Sequence, residues 1–185
     1  MKRLSSGIAF AASVLMLGLA GEAAAATVQC TSITGGGTKV SSVLAGTCPG
    51  CSIADADKAI DGNLNTFATI TVPAAVEGGF SLRATAQRGI AFAAGSKPGA
   101  VVRITKATSA AVETRGIVRS YLGNAAQNEK EFGSSVLGIN IVGSESGTFV
   151  LPATKTFNAV EYAVEGSFTE YFVQVFEFCS DTKKR

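Results

Sequence analysis

The stretch KAIDGNLNTFATI, residues 58–70, passes within a few positions from a polar corner to a β-branched run. Asp61-Gly62 suits a turn, because glycine accepts positive φ without Cβ strain and an aspartate side chain bonds the backbone ahead of it. Asn63 and Asn65 extend the same side-chain-to-backbone chemistry. Thr66 then opens a strand, whose Phe67 is positioned to plug the end of a sheet sandwich. Asp55 and Asp57 lie just upstream, so three acidic residues fall within seven positions. The corner leads into a strand, and the rest of the chain reads the same way.

Outward from this corner, β-branched and aromatic runs alternate with Gly, Pro, Asn and Ser punctuation. The pattern predicts strands at 27–33, 38–44, 66–72, 80–86, 100–105, 114–122, 135–142, 157–164 and 170–179. Period-two alternation is clearest in NAVEYAVEG, with Val160, Tyr162 and Val164 on one face and Glu161, Ala163 and Glu165 on the other. EYFVQVFEFC is apolar on both faces, as a central strand would be. KPGA at 97–100 reads as a β-turn. GNAAQNEKEFGS at 123–134 reads as a loop or one short helical turn, and VGSESGTF at 142–149 as a flexible connection. Eight or nine strands without long amphipathic helices predict an all-β fold, an antiparallel β-sandwich of the jelly-roll kind.

The N-terminus has a different character. Lys2 and Arg3 precede an apolar run at 8–20 and the small-residue string GEAAAATV, the pattern of a secretory signal peptide cleaved after Ala25 or Ala26. The run is shorter than the ~20 residues a membrane span needs, so no integral membrane segment is expected in the mature chain. The expected organisation is a signal peptide at 1–26, one sandwich domain at 27–182 and a frayed basic tail at 183–185. Export places the protein outside the cell or in a periplasm. Without Lys2, Arg3 and Glu22 the remaining chain is nearly charge-balanced, which argues against nucleic acid as a partner.

Four cysteines, Cys30, Cys48, Cys51 and Cys179, follow the signal. In an exported chain they read as two disulfides, with three pairings open. Position favours Cys30–Cys179, joining the ends of the domain, with Cys48–Cys51 closing the CPGC turn. A thioredoxin-type redox role for CPGC fits poorly. Gly and Asn follow too early for a long helix, and Asp55 and Asp57 would raise a thiol pKa. Histidine is absent, which removes imidazole-based nucleophilic triads and the usual zinc or copper ligand. A carboxylate-pair hydrolase using Glu113 with Glu161 or Glu165 is the remaining enzymatic option, and nothing in the spacing indicates a shared cleft.

KAIDGNLNTFATI also resembles the motif A-(I/V)-D-G-(N/D)-x-x-T-x-(W/Y/F) of discoidin-like domains, the coagulation factor 5/8 C-type or galactose-binding-like jelly rolls, and in particular their bacterial extracellular relatives. The resemblance covers about fifteen residues and implies a turn wrapped around a structural calcium ion. The matching positions are the Asp61 carboxylate, the Lys58 and Asn63 carbonyls, and the Thr66 hydroxyl and carbonyl. Glu177, in the last strand, matches a further glutamate ligand; a register shift of two would put Val175 there instead. Calcium takes six to eight hard oxygens, the donor type this chain can offer. A hydrogen-bonded turn without an ion is the alternative.

The resemblance implies a non-catalytic module binding carbohydrate or a cell-surface protein. Sugar binders of this kind present aromatic rings, whereas this chain lacks Trp and carries only Tyr121, Tyr162 and Tyr171, all in predicted strands. Arg83, Arg88, Arg115 and Arg119 are candidates either for ligand hydrogen bonds or for solvated strand faces. A different expectation is a structural subunit of an extracellular matrix, surface layer or filament. Low charge, a small-residue surface and exposed sheet edges suit such self-assembly.

Overall fold

The computed structural model describes residues 28–34, 37–46, 49–73, 76–106, 115–133, 144–167 and 171–184. Within them the chain forms eleven strands and one short 3₁₀ turn. The strands are β1 (Val28–Ser32), β2 (Lys39–Gly46), β3 (Ser52–Ala54), β4 (Ala68–Val72), β5 (Val76–Thr85), β6 (Gly99–Lys106), β7 (Arg115–Leu122), β8 (Ala125–Gly133), β9 (Ser144–Val150), β10 (Ala159–Ser167) and β11 (Tyr171–Lys184). The 3₁₀ turn, Ala56–Ile60, separates β3 from β4.

Two antiparallel sheets result. One runs β3-β4-β11-β6-β9, with β1 added alongside β11, and the other runs β2-β5-β10-β7-β8. Their facing sides bury Ile70, Val102, Val173, Val175 and Phe178 from the first against Leu82, Val118, Val160, Tyr162 and Val164 from the second. Phe149 of β9 spans the layers, its ring 5.0 Å from Phe132 of β8 and 5.6 Å from Tyr162 of β10. This is the expected β-sandwich, with the sheets not closed into a barrel. Each large core side chain removed from water contributes about 1.5–3 kcal/mol. Gly116 makes room for Tyr162, since a Cβ there would lie 2.9 Å from its hydroxyl oxygen.

The last strand is central, as its two apolar faces require. Along one edge β11 pairs with β6; along the other it pairs first with β4, through Tyr171 to Val175, then with β1. Its end corrects one expectation. Lys183 and Lys184 pair with Gln29 and Val28, so they belong to the sheet and not to a frayed tail.

Two further corrections concern edge strands. The 123–134 segment is not a loop or helical turn: it forms a tight corner and β8, paired with β7. The 142–149 connection contributes most of β9, paired with β6. Edge strands carry charged and small polar residues that discourage further pairing, so the apolar alternation that marks an inner strand is missing from both. The strand expected at 135–142 and the signal peptide at 1–26 lie outside the described residues. Among the described residues no helix is long and apolar enough to cross a membrane.

Cys30 and Cys179 are joined by a disulfide across a sequence separation of 149, as expected. Cys51 is disulfide-bonded too, while Cys48, its expected partner, lies outside the described residues.

Candidate functional site

Three places on this frame gather polar chemistry. The first is the corner at Asp61. Between its partnership with β4 and its partnership with β1, β11 leaves a short stretch around Glu177, and the corner fills that gap. Ser32 Oγ–H donates to Glu177 Oε1 at 2.6 Å, and the Gly62 N–H donates to Oε2 at 2.8 Å. Gly62 has φ 77°, the left-handed conformation expected of it. Asp61 Oδ1 accepts the Asn63 N–H at 2.9 Å, and Asn63 Oδ1 accepts the Asn65 N–H at 3.0 Å, so both side-chain turns read from the sequence are present. Thr66 Oγ1 lies 2.7 Å from Asp61 Oδ2 and 2.9 Å from the Asn63 carbonyl, and Lys58 Nζ is 3.9 Å from Asp61 Oδ2. Thr66 precedes the strand instead of opening it, and Phe67 packs edge-on against Phe176 at 5.3 Å.

Lys58, Asp61, Asn63 and Thr66 are therefore brought together, with Glu177 on the other side of Gly62. Val175 is excluded as the register alternative, being fully buried in the core between Ala68 and Val102. The two carboxyls differ in character. Burial raises the Glu177 pKa, with the Asp61 charge adding to it, against the hydrogen bonds from Ser32 and Gly62. The Thr66 hydroxyl lowers that of the exposed Asp61, helped by Asn63 and Lys58. Among the described residues no three His, Cys, Asp or Glu side chains cluster, so this set is two carboxylates completed by carbonyl and hydroxyl oxygens.

The second place is the outer face of the β2-β5-β10-β7-β8 sheet. Register aligns Ser41, Arg83, Glu161, Arg119 and Glu129 in one row across all five strands. Glu161, only 2% exposed, accepts both Nε (3.0 Å) and Nη2 (2.7 Å) of Arg83 on Oε2. Its Oε1 accepts Arg119 Nη1 at 3.3 Å and the Tyr121 hydroxyl at 3.1 Å. Arg119 also bonds Glu129 and Glu165. Burial works against its charge, but Glu129 and Glu161 outweigh that and hold the guanidinium firmly protonated.

This row answers the sequence's question about the arginines. Arg83 and Arg119 are neither solvated nor free for a ligand, being committed to Glu161. Arg83 also lies 3.6 Å from the centroid of the Tyr121 ring, which occupies the face a sugar would stack on. Tyr162 is wholly buried, and Tyr171 lies in β11. Arg88 sits in an exposed turn, and Arg115 opens β7. Of the carboxylate pairs considered for hydrolysis, Glu113 lies outside the described residues, and both oxygens of Glu161 are taken up by Arg83, Arg119 and Tyr121.

The third place is a cleft of about 700 Å³, lined by the loop before β6, by Lys130 of β8, by Thr148, Val150 and Pro152 in and after β9, and by the end of β11. Its walls are laced together. Leu151 N–H donates to Pro98 O at 2.8 Å, Ala153 N–H to Ser96 O at 3.0 Å, and Gly95 N–H to Ala153 O at 2.8 Å. From β11, Asp181 Oδ1 accepts the Lys97 N–H at 2.9 Å and Thr182 Oγ1–H donates to Lys97 O at 3.0 Å. Gly99 permits the close approach of β9, because a Cβ there would meet the Phe149 carbonyl oxygen at 2.3 Å. Sequence reasoning missed this cleft, whose residues come from four separate segments without a motif.

No protein-family model matches the chain, and no curated protein matches it. Similar solved structures include a family 32 CBM from C. perfringens NanJ in complex with galactose, at TM-score 0.41 and 15% identity, covering 82% of this chain and 97% of that one. Another is CpGH89CBM32-4 of Clostridium perfringens, in complex with glcNAc-alpha-1,4-galactose, at TM-score 0.45 and 9% identity, covering 84% and 95%. A third is an arabinose-bound α-L-arabinofuranosidase, MgGH51, at TM-score 0.47 and 12% identity; the likeness covers 85% of this chain and only 25% of the enzyme's.

Proposed function

We propose that this chain is an exported, non-catalytic binding module for carbohydrate or another cell-surface ligand, with a structural calcium in the Asp61 corner. The observation that carries the binding reading is the cleft beside Lys97. Its volume falls within the roughly 300–1,000 Å³ usual for ligand sites. Its walls are tied by backbone hydrogen bonds, so little ordering is left to be done on binding, and preorganisation of that kind favours affinity. Its lining holds one carboxylate, Asp181, already engaged with Lys97 N–H, which suits holding a ligand better than acid–base chemistry. The Cys30–Cys179 disulfide fits a non-reducing compartment.

The donor chemistry of the corner fits calcium. Asp61 and Glu177 add two carboxylates to the hard oxygens of Asn63 and Thr66, and the Asp61 charge already disfavours an ionised Glu177. Lys58, at 3.9 Å and half-exposed, offsets this only weakly. When bound, calcium would supply the positive charge both carboxylates lack and hold the corner against β11.

A screen of immobilised polysaccharides against the purified protein tests the module. Binding to at least one glycan is expected, and concentration-dependent assembly with no glycan bound would favour the structural-subunit reading instead. Melting in excess calcium against chelator tests the ion, since a ligand of the folded state raises the midpoint. An unmoved midpoint removes the calcium assignment and leaves the cleft untouched.

A further inference from the structure

We infer that the cleft selects an acidic polysaccharide, an inference that rests on reading the chain as a binding module. Three lysines line it, Lys97 from the loop before β6, Lys130 from β8 and Lys183 from β11, against the single carboxylate of Asp181. All three are exposed. Lys130 Nζ lies 4.9 Å from the centroid of the Phe132 ring, and among the described residues no carboxylate forms an ion pair with any of the three. The charged row through Glu161, by contrast, is paired off internally. The chain as a whole carries only a small formal charge of +2.

The lysines are also held in place. Lys97 is clamped at its N–H by Asp181 and at its carbonyl by Thr182, and both clamps come from the strand that carries Lys183. That part of β11 is itself fixed by pairing with β1, where Thr182 lies opposite disulfide-bonded Cys30. Two of the three ammonium groups therefore extend from backbone positions fixed relative to one another. Asp181 directs its Oδ1 into the backbone of Lys97, so part of its capacity to neutralise a lysine is already spent.

The chemistry of the walls narrows the class of anion. An ammonium is a compact point charge that pairs with carboxylate, sulfate or phosphate without demanding a planar fork. Single-stranded nucleic acid would want aromatic faces for its bases, and the apolar part of this lining is aliphatic, Val150 and Pro152. An apolar floor beside fixed cations suits a sugar ring whose substituents carry carboxylate or sulfate.

The test is binding of the intact mature protein to four probes: polygalacturonate, dextran sulfate, neutral dextran and duplex DNA. Each is titrated at low and at physiological salt. Binding to one or both acidic glycans is expected, weakening as salt screens the charges. Lys97→Gln with Lys183→Gln should weaken it by about tenfold or more, as loss of charge-assisted contacts does. The corresponding Lys→Arg changes should largely restore it. Both variants alter exposed side chains, and unchanged melting would certify their fold. The two acidic probes separate carboxylate from sulfate recognition. Binding to neutral glycan that ignores the lysine changes would overturn this inference and leave the module reading standing. DNA bound as tightly as the acidic glycans would overturn it as a mere cation patch, and a folded protein that binds none of the glycans would overturn both readings.

Discussion

Gly62 and Glu177, 115 residues apart, are joined by a 2.8 Å hydrogen bond from the glycine N–H to the buried carboxylate. The bond ties the corner that precedes β4 to the middle of β11, at the point where that strand passes from one neighbour to the other. Glu177→Ala would strand the Ser32 hydroxyl and the Gly62 N–H. A loss of about 1–3 kcal/mol is expected, toward the lower end because water can reach the exposed Gly62. Urea unfolding measures it as a lower midpoint at constant slope. An unchanged midpoint would show that the corner is held by the Asx turns alone.

The row through Glu161 should be costlier to break. Removing the carboxylate orphans Arg83, whose side chain is 17% exposed, while Arg119 keeps Glu129 and Glu165. Glu161→Ala is expected to destabilise by about 3–5 kcal/mol, the usual penalty for an orphaned charge in a buried pair. If denaturant unfolding returns less than about 1 kcal/mol, the row is a surface ornament in energetic terms.

Tyr121 should titrate late. Burial and the Glu161 charge raise its pKa above the ordinary value, although Arg83 and Arg119 pull the other way. The folded state thus prefers the neutral phenol more than the unfolded chain does. Its contribution to stability is fully present below pH ~10 and is lost as pH climbs through the raised folded value. Tyrosinate absorbance in alkaline titration should include one late phase that vanishes in Tyr121→Phe. A single phase at the ordinary value, identical in both proteins, would refute the buried hydrogen bond to Glu161.

Reducing Cys30–Cys179 should lower stability by about 2–5 kcal/mol, because the bridge closes most of the chain into one loop. Cys30→Ala with Cys179→Ala, melted beside the oxidised parent, gives the same quantity without reductant. Equal melting would mean that β1–β11 pairing alone secures the ends.

Local chemistry announces the inner strands and the corner. The alternation of Val160, Tyr162 and Val164, the doubly apolar run of β11, and the Asp61-Gly62 turn each state their conformation within a few residues. The cysteines at the ends of the domain likewise pointed to their bridge. The edge strands β8 and β9 were illegible for the reason they work: they are polar and small because an edge must not recruit another strand.

What no local pattern carries is which outward residues meet. Glu161 looked like one half of an alternating solvent face until the registers of β5 and β7 set Arg83 and Arg119 beside it. Lys97, Lys130 and Lys183 share a cleft only because β11 runs back past the loop before β6 and the two sheet edges close near β9. Side-chain periodicity is a short-range property of one segment, so the sequence alone determined the inner strands and the corner and pointed to the disulfide at the ends. Register and sheet order are settled by the packing of distant segments, so only the tertiary structure decided which charges are paired and which remain open to a ligand.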